Sequence, residues 1–307
     1  MRTLWHRIRF WGRVFVNAVT IWNQSDAFVY AAAVAFFTIF SIAPVVIIAV
    51  TLVGFALGEQ AVEGRLMEEL EETMGPEAAY TIEVAVANTH LQLAQAGIWP
   101  TLISIGVIVV GATTVFAYLQ RSLNAIWDVV PKPTRTGILP FVWSRLISLL
   151  IVLAIGLVLA ISLLVSVAVQ SVLAFAAGVL PIPGILLASV EVALSLAILT
   201  LLFGTLFQIL PDVILDFRDV LIGAAITAAL FTVGRLLIAW YLAQTATATT
   251  YGAAGSLVVL LLWVNYSSLI LLFGAAFTRA QREARGKSVI PRKPAVIVQH
   301  EVIERER

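Results

Sequence analysis

The sequence predicts an all-α membrane protein, a polytopic bundle of six transmembrane helices with both termini in the cytoplasm. Three observations support this fold class. The chain of 307 residues is 61% hydrophobic and only 12% charged, whereas a soluble domain carries about 25% charged residues. Its mean hydropathy is +1.00. Apolar runs of the length that crosses a bilayer, about 20 residues, recur along the chain, and lysine and arginine concentrate in alternate segments between them.

The composition also narrows the chemistry. The chain has no cysteine, which excludes disulfides, thiolate catalysis and cysteine metal sites. It contains no GxxxxGK[ST] phosphate loop, no HExxH pair and no GxSxG elbow, the motifs of ATP hydrolysis, zinc proteolysis and serine hydrolysis. We therefore expect a protein that is not an enzyme and has no cofactor, no metal and no nucleic-acid partner. Membrane lipids are its expected surroundings.

Residues 1–26 are predicted to form an interfacial amphipathic helix. Apolar side chains including Leu4, Trp11 and Phe15 recur at steps of three and four residues, and Arg9 and Arg13 belong to the opposite, basic stripe. This pattern is typical of a helix that lies on a membrane surface. The alternative is a cytoplasmic helix that packs on the bundle.

The rest of the chain divides into six spans and the segments between them. The spans are predicted at 27–57, 98–119, 141–170, 185–210, 220–243 and 253–277. The third apolar run continues to Leu180, so it either bends near Gln170 or projects beyond the bilayer. Residues 58–97 form an acidic, helical outer segment. Residues 278–307 form a polar tail, which we expect to be disordered beyond Gly286.

The distribution of basic residues predicts the orientation. With the N-terminus inside, the outer segments contain a single basic residue, Arg65, and all other basic loops and both termini face the cytoplasm. Such a bias fixes the topology of short loops. The expected location is the plasma (inner) membrane, with multiple passes.

The first span contains the strongest signal of an irregular helix. Pro44 removes a backbone donor and crowds the preceding turn, so the helix must kink or break there. Thr38 and Ser41 are the hydroxyl side chains in the middle of the run. A broken backbone inside a bilayer needs protein, water or hydroxyls around it, and Thr38, Ser41 and Pro44 are therefore candidates for a polar site inside the bundle.

Glu191 and Arg235 are predicted to lie well inside the fourth and fifth spans. Both lie about 9–12 Å below the outer ends of their helices at 1.5 Å per residue. A lone charge at such a depth is costly, so the two are expected to pair. They form either a polar site that opens outward, as a counter-charge for an anionic substrate, or a structural ion pair that fixes two helices.

Three further sets of residues are candidates for polar or structural roles. Asn124 directly follows the second span and is suited to capping or bonding broken backbone, and Trp127 is predicted to anchor at the interface. Asn265 in the sixth span is expected to form an interhelical hydrogen bond, in packing or with a substrate. Tyr251 and Gly252 begin that span.

These segments together resemble the YihY/virulence factor BrkB family. The resemblance depends on AAAVAFFTIFSIAP at 31–44, LNAIW at 123–127, YG at 251–252, and LLLWVNYSSLILLFGA at 260–275, which includes Gly274. They occur in the family's order over about residues 20–280. The chain differs from the family at Phe36 and Phe37, where tyrosines are frequent, and at Ala276, where an acid is frequent.

The resemblance implies six spans and export or flipping of a lipid-like molecule. The expected function is a transporter, exporter or flippase of an amphipathic molecule without its own ATPase. A membrane scaffold for envelope assembly is the alternative. A membrane ribonuclease, which is the older label of the family, is a third alternative. The sequence does not contain the metal-binding motif that zinc nucleases need. The departure at Ala276 removes the acid that a cation-linked role would use.

Overall fold

The computed structural model describes residues 2–41, 64, 67–68, 70–71, 76–95, 98–132, 184–244, 253–292 and 295–298. This part of the chain contains seven helices: α1 (Arg2–Gln24), α2 (Ala27–Ser41), α3 (Pro76–Gln95), α4 (Ile98–Ile126), α5 (Gly184–Ile209), α6 (Phe217–Gln244) and α7 (Ala253–Ala284). Two short strands, β1 (Val129–Pro131) and β2 (Ala295–Ile297), pair antiparallel.

Three of these helices are long and apolar enough to cross a membrane. The qualifying segments are Val192–Ile209 in α5, Phe217–Ile238 in α6 and Leu257–Ala284 in α7. A fourth is added if the bent pair of α1 and α2 counts as one broken span. The predicted helical membrane protein is confirmed to this extent. The count of six and the orientation remain predictions, and the span at 141–170 lies outside the described residues.

Helices α6 and α7 approach closely because small residues alternate with threonines where they meet. A Cβ at Gly223 would lie 1.8 Å from Thr278 Oγ1, and a Cβ at Gly274 would lie 1.8 Å from Thr227 Oγ1. Each threonine hydroxyl donates to the glycine carbonyl one turn earlier on its own helix, at 2.8 Å. This reciprocal glycine–threonine contact brings the two antiparallel backbones together without an unsatisfied hydroxyl.

Helix α1 packs along the second half of α7. Its buried side chains are Val14, Ala18 and Ile21. The Trp11 ring stacks on Phe277, with centroids 6.0 Å apart. The structure therefore shows α1 packed on the bundle, which was the alternative interpretation. Its opposite side leaves Val16 exposed, so contact between α1 and the membrane stays a prediction.

A sharp elbow separates α1 from α2. The helix axis turns by 61° across Ser25 and Asp26, and Asp26 has a φ of 51°. Both the N–H and the hydroxyl of Ser25 donate to the Ile21 carbonyl, so the last turn of α1 is closed locally. The first helical element is thus interrupted at the elbow. The break predicted at Pro44 lies outside the described residues.

The C-terminal segment, residues 287–292 and 295–298, is held against the bundle. The Ile214 N–H donates to the Ile290 carbonyl, and the Arg292 N–H donates to the Asp212 carbonyl, each at 2.8 Å. Strand β2 then pairs with β1. The prediction that the tail is disordered beyond Gly286 is therefore wrong for these residues, because the backbone finds partners far away in the sequence.

Candidate functional site

A cleft of about 1280 Å³ lies between the elbow, the end of α4, the β1–β2 ribbon and α7. The elbow contributes polar and acidic groups, and the ribbon contributes aliphatic side chains. The residues that line the cleft are Ile21, Gln24, Ser25, Asp26, Tyr30, Ala125, Trp127, Asp128, Val129, Val130, Arg279, Val289, Ile297 and Val298. The cleft is thus polar on one side and apolar on the other.

Arg279 holds one wall of the cleft together. Its guanidinium forms an ion pair with Asp128 at 2.6 Å and with Glu283 at 2.8 Å, and donates to the Ile126 carbonyl at 2.6 Å. These three contacts use the Nη2, Nε and Nη1 groups. Arg279 therefore ties the end of α4 to α7.

Asn124 forms a two-way clamp with Asp212 in the loop between α5 and α6. The Asn124 amide donates to the Asp212 carboxylate, and the Asp212 N–H donates to the Asn124 carbonyl oxygen, each at 2.8 Å. Asn124 therefore bonds to irregular backbone, and its wider role at a polar site stays a prediction. Arg292 adds to this junction by donating to the Gln208 carbonyl at 2.7 Å, at the end of α5.

A buried acid organises a second ionic cluster beside this junction. The side chain of Asp219 is fully buried, and it contacts Arg282 at 3.4 Å, Arg285 at 2.9 Å and Lys287 at 2.7 Å. Lys287 also binds Asp216 at 2.8 Å. The hydrogen bond from Lys287 lowers the pKa of Asp216, and the bonds to Asp216 and Asp219 raise the pKa of Lys287. The cluster joins the start of α6 to the end of α7.

Trp127 lies in the core, so the prediction that it anchors at the interface is wrong. Only 2% of its surface is exposed, and it belongs to the same buried cluster as Leu123 and Ile126. Asp128 follows it with a φ of 50°. The chain turns back at this position into β1, and the turn directs the indole inward rather than to the bilayer surface.

The hydroxyls predicted in the first span have different roles. The Thr38 hydroxyl donates to Val34 on its own helix at 2.7 Å. The Ser41 side chain is buried, and its hydroxyl lies 2.8 Å from the Phe37 carbonyl and 2.5 Å from the Gly111 carbonyl of α4. Ser41 therefore links α2 to α4, whereas Thr38 stays within α2. Neither residue lines the cleft.

The predicted pair of Glu191 and Arg235 is only half described. Arg235 is partly buried on α6, and none of the acidic side chains that the structure describes forms an ion pair with it. The side chain of Glu191 lies outside the described part, so their pairing stays a prediction. Asn265 is half-buried on α7. Neither Arg235 nor Asn265 lines the cleft.

Among the predicted motif residues, Gly274 has a packing role between helices. It lies at the α6–α7 contact, where a Cβ would also come within 3.0 Å of the Phe207 ring on α5. Three helices thus meet at this glycine. Tyr251, Gly252 and Pro44 lie outside the described residues.

Sequence reasoning missed most residues of the cleft. Asp26 and Asp128 are single acids beside apolar runs, and no spacing connects them across the sequence. A signal existed for the ionic cluster, since Arg282, Arg285 and Lys287 lie close together in the sequence and three aspartates lie in the loop at 211–219. Those charges were used only to predict topology.

Comparison with known proteins identifies the family. Residues 18–296 match the family model described as virulence factor BrkB. A UPF0761 membrane protein of Alcanivorax borkumensis is 27% identical over 274 residues, which cover 87% of this chain and 59% of the relative. One of Saccharophagus degradans is 25% identical over 277 residues, covering 89% and 60%. One of Aggregatibacter aphrophilus is 26% identical over 273 residues, covering 87% and 91%.

The chain spans about three fifths of the length of the first two of these relatives. No solved structure matches it. The family match nevertheless extends from residue 18 in α1 to residue 296 in β2. It includes the elbow, the Asp219 cluster and the residues that line the cleft except Ile297 and Val298. Because this match covers most of the sequence, the chain belongs to the virulence factor BrkB family and is an integral membrane protein.

Proposed function

We propose that this protein is a transporter or flippase, without its own ATPase, for an amphipathic or lipid-like molecule. We place it in the inner membrane with both termini in the cytoplasm. The cleft at the elbow would take the polar part of that molecule. The observation that carries the proposal is that a cleft of about 1280 Å³ opens where the first helical element is interrupted.

An interrupted helix is a common way to build a transport site. Backbone that leaves helical geometry at membrane depth is tolerated only where protein or a water-filled cavity surrounds it. Broken helices of transporters place their exposed ends at the substrate for this reason. Here the two halves, Arg9–Gln24 and Ala27–Ser41, are together long and apolar enough to cross a membrane. Their junction lines the cleft.

The surface beside the cleft suits an apolar tail. Phe28 and Val29 follow Asp26 directly on α2, and both are more than half exposed. An amphipathic molecule would therefore place its headgroup at Asp26 and its tail along α2. Lipid-facing side chains are ordinary in a membrane protein, so their position next to a polar cleft is the informative feature.

The second predicted polar position, Arg235, lies on α6, away from the cleft. Arg235 lies about 27 Å along α6 from the start of that helix, far from Asp219 and the ionic cluster. If Arg235 pairs with Glu191 in an outer polar site, a substrate would pass from the elbow toward it. Arg235→Ala and Glu191→Ala are expected to slow transfer without closing the cleft.

Reconstitution with a fluorescent lipid tests the proposal. The purified protein in liposomes should move acyl-labelled phospholipid between leaflets faster than protein-free liposomes, measured by quenching of the outer leaflet. Ala125→Phe should lower this rate because it places an aromatic ring inside the cleft. Ala225→Phe, the same change on the exposed surface of α6, is the control and should leave the rate unchanged.

Two outcomes would contradict the proposed transport through the cleft. One is an equal rate with and without protein. The other is an equal effect of Ala125→Phe and Ala225→Phe, which would show that the cleft is not on the path. Purification of a stoichiometric protein partner together with no transfer would instead favour the scaffold for envelope assembly.

A further inference from the structure

We infer that the cleft binds an ammonium group, so that the headgroup recognised there is an amine. This deepens the proposed function by naming the substrate class, and its transport arm rests on that function. The inference depends on the charge balance of the cleft, the helix end beside it and the Tyr30 ring that lines it.

The charge balance leaves a carboxylate available to a ligand. Among the described residues that line the cleft, Arg279 is the one basic side chain, against Asp26 and Asp128. Its guanidinium is already occupied by Asp128, Glu283 and the Ile126 carbonyl. Asp26 is exposed, and its carboxylate makes no hydrogen bond or ion pair with any side chain that the structure describes. A cation therefore finds a partner here, and an anion does not.

Helix dipoles reinforce the negative potential. The C-terminus of α4 ends at Ile126, beside the cleft, and carries about half a negative charge. The C-terminus of α1 and the N-terminus of α2 meet at the elbow and offset each other. The net field of the three helix ends is thus negative and favours a cation.

The other walls select an ammonium group over a metal ion. The partly buried ring of Tyr30 lines the cleft, and an aromatic ring attracts organic cations through its face. Calcium would need six to eight oxygen ligands and magnesium an octahedral set. One unengaged carboxylate, one carboxylate shared with Arg279 and aliphatic walls do not supply such a set. An alkylammonium group needs only a carboxylate and an apolar surround.

The closest test removes the Asp26 charge without changing the backbone. Asparagine tolerates a positive φ nearly as well as aspartate, so Asp26→Asn keeps the elbow at its φ of 51°. Glu83→Gln is the matched control, because Glu83 is an exposed acid on α3, outside the cleft. Each variant loses one negative charge and no bulk.

Binding and transfer are then measured separately. Calorimetry in detergent uses dodecylammonium, with dodecyl sulfate as the opposite charge. We expect saturable binding of dodecylammonium to the wild type and to Glu83→Gln, and about tenfold weaker binding to Asp26→Asn, the loss typical of a charge-assisted hydrogen bond. In liposomes, acyl-labelled phosphatidylethanolamine should move faster than phosphatidylglycerol, and Asp26→Asn should remove this preference.

The outcomes separate the inference from the proposed function. If dodecylammonium does not bind saturably, or if Asp26→Asn binds it as tightly as wild type, the inference is wrong even when lipid transfer persists. If amine binding depends on Asp26 but no lipid moves, the inference stands, the ligand is a free amphipathic amine, and lipid transport is wrong. Preferential transfer of phosphatidylethanolamine assigns the amine to a membrane lipid.

Discussion

The two sides of α7 pack against their neighbours in different ways. On the side that faces α6, threonine hydroxyls pack directly against Gly223 and Gly274, and neither glycine has room for a Cβ. On the side that faces α1 and α4, the contacts are a stack of rings and an ion pair, and a cleft remains between them. One helix therefore belongs both to a closely packed interface and to a region with room for a ligand.

The largest effect should follow from breaking the ionic cluster on the packed side. Asp219→Ala removes the fully buried carboxylate that pairs with Arg282, whose own side chain is only 5% exposed. Removing one partner of a buried ion pair costs about 3–5 kcal/mol. We expect a loss of that size in the free energy of unfolding, measured by denaturation in detergent with helical circular dichroism.

The matched change on the cleft side should have a much smaller effect. Asp128→Asn removes one partner of Arg279, but Arg279 keeps Glu283 and the Ile126 carbonyl, and asparagine accepts the φ of 50°. A partly exposed pair contributes about 1 kcal/mol or less. Equal losses from Asp219→Ala and Asp128→Asn would contradict the division of α7 into two sides.

The loss expected at the α6–α7 interface itself is smaller than that of Asp219→Ala and larger than that of Asp128→Asn. Gly274→Ala places a Cβ 1.8 Å from Thr227 Oγ1, and overpacking of this kind costs about 1–3 kcal/mol. The double variant Gly274→Ala, Thr227→Ala should recover part of the loss because it removes the nearest atom. The measurement is the same unfolding experiment.

Gly204→Ala is the control for that prediction. The nearest atom to its Cβ would be the Ala224 Cβ at 3.7 Å, an ordinary contact. The change should be neutral or slightly stabilising, because glycine inside a helix is about 1 kcal/mol less favourable than alanine. If Gly204→Ala and Gly274→Ala behave alike, close packing is not what distinguishes the interface.

The sequence predicted the fold class better than it predicted individual side-chain contacts. Composition and apolar runs predicted a helical membrane protein, and Asn124 was expected to bond irregular backbone. The core position of Trp127 was missed because an indole beside polar residues suits an interface and a buried turn equally. The order of the tail was missed because Arg292 binds carbonyls at the end of α5, more than eighty residues earlier, and no local pattern shows such a contact.

The elbow shows why the candidate site was harder to predict than the fold. Proline and glycine are the usual signs of a break, so the prediction went to Pro44, whereas the bend across Ser25 and Asp26 contains neither residue. An aspartate just before an apolar run is a helix-start signal, and it was present at Asp26. What no pattern supplied was the approach of Asp128 and Arg279, which depends on how α4 and α7 pack.

The smallest effect concerns the outer part of the ionic cluster, and it appears only at extreme pH. The pKa of Lys287 is raised above its ordinary 10.5 by its bonds to Asp216 and Asp219, so its contribution is complete below that pH and is lost as the pH rises through the folded value. The pKa of Asp216 is lowered below its ordinary 3.8 by Lys287, so its contribution is complete above that pH and is lost as the pH falls through the folded value.

Stability from this pair should therefore be constant near neutral pH and decline at both ends. Lys287→Met should reduce stability at neutral pH. It should also lose less stability than the wild type as the pH becomes alkaline, because the share that comes from this lysine is absent. Lys132→Met, which removes a lysine outside the cluster, should leave that share in place. Unfolding midpoints of the three proteins from about pH 3 to pH 12 provide the measurement. An alkaline decline of the same steepness in Lys287→Met and wild type would show that the bonds at Lys287 do not stabilise the packed side of α7.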